Sequence, residues 1–79
     1  MNTKVRLRLT NQLLSVQTLV LEPWTTEHTL APGRSLDIVA EGDAAYPLQI
    51  ELIPGKIILY SFDSKDAMMT VESASAGPG

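Results

Sequence analysis

Residues 21–42, LEPWTTEHTLAPGRSLDIVAEG, decide the fold. This stretch holds the only Trp (Trp24), the only His (His28) and two of the five prolines, and apolar runs lie on both sides of it. It reads as a corner. One strand stops at Glu22-Pro23, a loop carries Trp24 to Leu30, Pro32-Gly33 turns the chain, and a new strand begins after Gly33. Pro23 would stop a helix here, and the β-branched Val16, Thr18 and Val20 ahead of it favour an extended chain.

Working outward toward the N-terminus, residues 4–10 alternate strictly. Val5, Leu7 and Leu9 face one way and Lys4, Arg6, Arg8 and Thr10 the other, which is the period of a strand with one wet face. Asn11-Gln12 turns the chain, since Asn suits an Asx or left-handed connection. Residues 13–22 are apolar on both residue parities and read as one long, mostly buried strand.

Toward the C-terminus, residues 34–41 form a strand with Leu36, Ile38 and Ala40 inward and Asp37 and Glu41 outward. Gly42 opens a loop through Ala45. Residues 47–53 are expected to turn Leu48, Ile50 and Leu52 inward. Pro54-Gly55 makes a turn in which Pro presets one φ and Gly accepts a positive one. Residues 56–62 return as a strand that is apolar on both faces, as a central strand is. Residues 63–66 turn again, and 67–72 form the last strand. Six short strands with turn signals between them predict a small all-β, mostly antiparallel sandwich or partly open barrel of Greek-key type, spanning residues 1–72. The small-residue run SASAGPG at 73–79 is expected to be a disordered tail.

Size and composition narrow the function. A chain of 79 residues buries only about 60–65% of its unfolded surface, so its core leaves a thin margin of stability. It has no Cys and one His, which excludes disulfides and a four-ligand structural zinc site. Good packing or a second copy remains as reinforcement, and unpaired sheet edges invite the second. The net charge of −3 argues against nucleic acid, which requires a clustered basic surface. Lys4, Arg6 and Arg8 cluster only as the solvated face of the first strand. The opening MNTKVRLRL lacks the apolar core of a secretory signal, and the apolar runs are far shorter than the ~20 residues that span a bilayer. A cytoplasmic protein without a membrane segment is expected.

No reacting group stands out. His28 with Glu22 and Glu27 lies on the expected loop without the register that aims ligands at one metal, and no Ser sits in a nucleophile elbow. Met68 and Met69, as neighbours on a strand, point to opposite faces and cannot share a soft metal ion. The expectation is a chain that is not an enzyme and has no catalytic residue, metal or cofactor. Trp24 is expected to plug one end of the core, with its ring over apolar side chains. If the corner binds a partner, Trp24, Glu27 and His28 are the residues that would do it.

The order of a leading strand ending in Asn11, then Leu21-Glu22-Pro23-Trp24, a Leu30-x-Pro32-Gly33 turn and Ala40-Glu41-Gly42 resembles short bacterial proteins of unknown function with a cupredoxin-like β-sandwich. The likeness covers residues 5–42. It implies a Greek-key sandwich and no activity. The two His and one Cys of a blue-copper site are not in this chain, so the likeness brings no metal residue with it.

The function expected from these readings is a protein-binding or assembly module that associates with itself as a homodimer or larger. The alternative is a small acidic inhibitor or immunity-type protein that binds a basic partner through an outward row of Asp37, Glu41 and Glu51.

Overall fold

The computed structural model describes residues 2–43, 45, 47–62 and 67–76. Among them all regular structure is strand: β1 (Asn2–Thr10), β2 (Gln17–Glu22), β3 (Thr26–Leu30), β4 (Arg34–Asp43), β5 (Gln49–Ile53), β6 (Lys56–Tyr60) and β7 (Met68–Ala76). They form two open sheets. One has three strands in the order β1-β4-β7, the other four in the order β3-β2-β6-β5. All pairs are antiparallel except β2 with β6. The all-β sandwich expected from the alternating patterns is the observed architecture. No helix among the described residues is long and apolar enough to cross a membrane.

The core lies between the sheets. Leu19 and Leu21 of β2, Leu30 of β3, Leu36, Ile38 and Ala40 of β4, Leu59 of β6, Phe62 and Met69 of β7 form one buried cluster. β1, β2, β4 and β6 contribute alternate residues, so the period-2 readings of β1 and β4 translate directly into core-facing and outward-facing positions. Met69 is buried and its neighbour Met68 exposed, as adjacent strand positions require. Gly42 belongs to β4, not to a loop. A side chain there would lie 2.5 Å from Cβ of Phe62, so the glycine is what lets the Phe62 ring pack against the strand.

The wet face of the three-stranded sheet is laced by ions. Arg8 donates to both carboxylate oxygens of Asp37, from Nε at 2.7 Å and from an Nη at 3.0 Å. Lys4 approaches Glu41 at 4.0 Å, and Arg6 pairs with Glu72 across β4. Glu72 reaches that position through a bulge: Asp37 pairs with Ser73 and Ile38 with Val71, which leaves Glu72 as the extra residue. These basic side chains are therefore solvated and paired, Lys4 and Arg8 with acids of the neighbouring β4 and Arg6 with an acid of β7 beyond it. The Asp37 carboxylate raises the pKa of Arg8, through its hydrogen bonds first and its charge second.

Four further expectations about the strands need correction. Residues 13–16 are not strand, and Leu13, Leu14 and Val16 are exposed. Asn11 causes this. Its Oδ1 accepts from the backbone N–H of Leu13 at 2.9 Å, an Asx turn, and its Nδ2 donates to the carbonyls of Ser15 and Leu30, both at 2.9 Å. The side chain captures the backbone that a longer β2 would need for its ladder.

The second correction is a seventh strand. Residues 26–30, read as loop, pair with β2 from Gln17 opposite Leu30 to Leu21 opposite Thr26. As an edge strand with only Leu30 buried, β3 carries almost no hydrophobic signal.

Third, Ile50 and Leu52 of β5 do not enter the core. They are 53% and 74% exposed, and only Leu48 packs against it. Three strands cannot cover four, and β5 overhangs. Fourth, β7 runs to Ala76 opposite Arg34, so the ladder continues through Ser73–Ala76 where a tail was expected. Central strand β4 offers a second row of backbone groups there, and small residues can pair with it. Residues 77–79 and the turn expected at 63–66 lie outside the described residues.

Asn11 is the joint of this frame. It is 3% exposed, its N–H donates to the carbonyl of Arg34 at 2.9 Å and its own carbonyl accepts from Gly33 at 2.7 Å. Asn11→Asp keeps the shape but turns a carboxylate oxygen toward the carbonyls of Ser15 and Leu30. It should destabilise the protein by at least about 1–3 kcal/mol in urea unfolding at neutral pH. A change within about 0.5 kcal/mol, the size of a neutral surface substitution, would refute the role of the joint.

Candidate functional site

The two ends of the sandwich differ. One end carries the connections at 11–16, 31–33 and 54–55. The other carries the β2–β3 turn at Pro23–Thr25 and the chain leaving Asp43 and Tyr60. The corner with Trp24 lies at the second end, and the apolar surface concentrates at the first.

At the first end, the Asn11–Gln17 connection faces the β5–β6 hairpin across a cleft of about 410 Å³. Leu13 forms one wall, Leu52, Ile53 and Ile57 the other, and Asn11 and Gln17 lie at its base. Asn11 is committed to the bonds above. Gln17 makes only long contacts to Ser15, at 3.3 and 3.4 Å. The hairpin is pinned by the Thr18 N–H, which donates to the Gly55 carbonyl at 2.9 Å. Gly55 has φ of 79°, the positive value that the Pro54-Gly55 pair calls for.

Among the described residues β5 is the outer strand of its sheet and pairs only with β6. All five of its residues are exposed. Ile50, Leu52 and Ile53 present large apolar side chains to water beside a free row of backbone donors and acceptors. Globular proteins usually blunt such an edge with charge, bulges or brevity. Here Glu51 is the one charge on the strand, and Pro47 and Pro54 delimit it. The other outer strands differ in the residues described: β1 packs Val5, Leu7 and Leu9 on the core, β3 is polar apart from buried Leu30, and β7 turns Met69 and Val71 to the core and leaves Met68 exposed.

The corner residues are placed differently from what their loop reading implied. Trp24 is not a plug. It is 44% exposed in the β2–β3 turn, next to Thr25, whose φ of 57° is a strained value for a β-branched residue. Phe62 packs with the core cluster instead. Thr25 Oγ1 donates to Glu22 at 2.8 Å. Glu27 and His28 are adjacent on β3 opposite Val20 and Leu19, so they point to opposite faces and do not converge with Trp24 on one surface. Among the described residues no group of three or more His, Asp or Glu side chains is arranged to hold a metal.

The expected acidic row does not exist either. Asp37 and Glu41 sit on β4, paired with Arg8 and near Lys4, and Glu51 lies on the other sheet. Periodicity could not reveal this, because it does not say which strands become neighbours. The outer face of the four-stranded sheet holds a different acidic set. Glu27, Val20, Ile58 and Glu51 stand in one row across it, and Glu22 is opposite Tyr60 in the next. Burial raises the Tyr60 pKa first, and the nearby charge of Glu51, its long contact at 3.4 Å and Glu22 add to the rise.

Two outcomes follow from this placement. Trp24→Ala should cost about 1 kcal/mol or less, where a core plug would cost about 3–5 kcal/mol; chemical unfolding separates the two. In a Tyr46→Phe background, Tyr60 should titrate above 10.0, and Glu51→Gln should bring its midpoint down in an ultraviolet titration. The raised value means that the stability contributed by the neutral phenol is intact below pH 10 and is lost as pH climbs through the folded midpoint. An unmoved midpoint in Glu51→Gln would remove Glu51 as a cause.

No protein-family model matches the chain, and neither a curated protein nor a solved structure does.

Proposed function

We propose that this protein is a non-catalytic protein-interaction module that associates with copies of itself. The observation that carries the reading is β5: an outer strand, exposed at every residue, with Ile50, Leu52 and Ile53 in water and its backbone edge open. Two further features support it. A core of this size is thin by itself, and pairing a free edge is a low-cost way to extend it. Leu13 lines the cleft opposite Leu52, Ile53 and Ile57, and Leu14 and Val16 add exposed apolar side chains on the same connection; exposed apolar surface of this kind marks interaction sites.

An acidic inhibitor is less favoured. Two of the three carboxylates on which that reading rested are occupied by bases of β1.

Light scattering coupled to size exclusion at micromolar concentrations tests the proposal. The wild-type chain should show a mass above the monomer that rises with concentration. Leu52→Lys, a change at a side chain 74% exposed, should keep the fold by circular dichroism and return the protein to monomer. A wild-type chain that stays monomeric throughout would overturn the reading.

A further inference from the structure

We infer that self-association, the reading on which this inference rests, occurs by antiparallel pairing of β5 with β5 of a second copy about a two-fold axis at Ile50. The four-stranded sheets of the two copies then become one continuous sheet.

The register follows from the hairpin. β5 and β6 are closed by the two-residue turn Pro54-Gly55, with Ile53 opposite Lys56. In such a ladder the backbone groups of alternate residues point at the partner strand. Those of Gln49, Glu51 and Ile53 point at β6, and those of Leu48, Ile50 and Leu52 point out to the free edge. A second copy must therefore bond to this outward set, and residues directly opposite one another must share a face. Only a two-fold axis at Ile50, Glu51 or Leu52 keeps the strand centred on the overlap.

Two of these registers carry a penalty. An axis at Glu51 sets that carboxylate opposite its own copy, a like-charge pair. An axis at Leu52 sets Ile50 opposite Pro54, which has no N–H to give to the ladder.

The axis at Ile50 avoids both. Leu48 then stands opposite Leu52 of the other copy, and Ile50 opposite Ile50. Leu52, the most exposed side chain of the strand, thus meets Leu48, which packs against the core. On the outer face Gln49 meets Glu51, so a neutral amide donor faces each carboxylate. Pro47 falls opposite Ile53, ahead of the ladder that begins at Gln49, and in the alternation which that ladder sets its missing N–H would lie on the side away from the free edge. Self-complementarity of this kind is what an isologous interface requires.

The chain contains no Cys, so single cysteines report register cleanly. A mixture of Gln49→Cys and Glu51→Cys proteins under mild oxidation should form the mixed disulfide, identified by mass. Opposite residues of that non-hydrogen-bonded pair have Cα atoms about 4.5 Å apart, within disulfide reach. A mixture of Gln49→Cys and Ile53→Cys proteins, in which Glu51 is kept, should not cross-link, because those positions face each other only with the axis at Glu51. Cross-linking in the second mixture, or in neither while light scattering shows wild-type dimers, would overturn the inference and leave self-association standing. A monomeric wild type would remove both.

Discussion

The side chain of Asn11 holds the frame on which the rest is built. Where β1 ends, the chain must leave the three-stranded sheet and enter the four-stranded one. The backbone making that crossing has donors and acceptors that neither ladder pairs. One amide meets this need. It binds the backbone of Leu13, Ser15 and Leu30, while its own backbone bonds Gly33 and Arg34. The ends of β1 and β3, the start of β4 and the connection into β2 are thereby fixed to one another. Because the amide also bends residues 12–16 away from the ladder, the same bonds that join the sheets hold Leu13, Leu14 and Val16 in solvent.

A second constraint is arithmetic. Four strands face three, and the outermost strand of the larger sheet finds no layer above it. Ile50 and Leu52 have the alternation of core residues and the exposure of surface residues for this reason. Their sequence is that of a strand built to be covered. Among the described residues nothing covers β5, so the candidate site is the edge of a sheet.

The strands that were legible in the chain were those with one wet and one dry face. β1 and β4 announce themselves by strict alternation, and the Pro54-Gly55 hairpin by its turn chemistry. β6 is apolar on both faces and is indeed an inner strand. β3 was not legible because an edge strand with one buried residue has no period to read. The start of β2 was misread because hydrophobicity alone cannot reveal that a side-chain amide will take over the neighbouring backbone. Likewise Trp24 looks like a plug by size, and the three-residue turn that carries it leaves the ring partly in water. The site was half legible. The apolar residues of β5 were visible, and their exposure was not.

By itself the sequence determined that this chain is all-β, where most strands run and which way Val5, Leu7, Leu9, Leu36, Ile38 and Ala40 face, because side-chain alternation is a local property of an extended chain. Tertiary structure alone decided which strands become neighbours. It paired Arg8 with Asp37, separated Glu51 from Glu41, brought Phe62 against Gly42 and left β5 at an open edge. Those outcomes depend on how many strands each sheet receives, a property of the whole chain that no local pattern encodes.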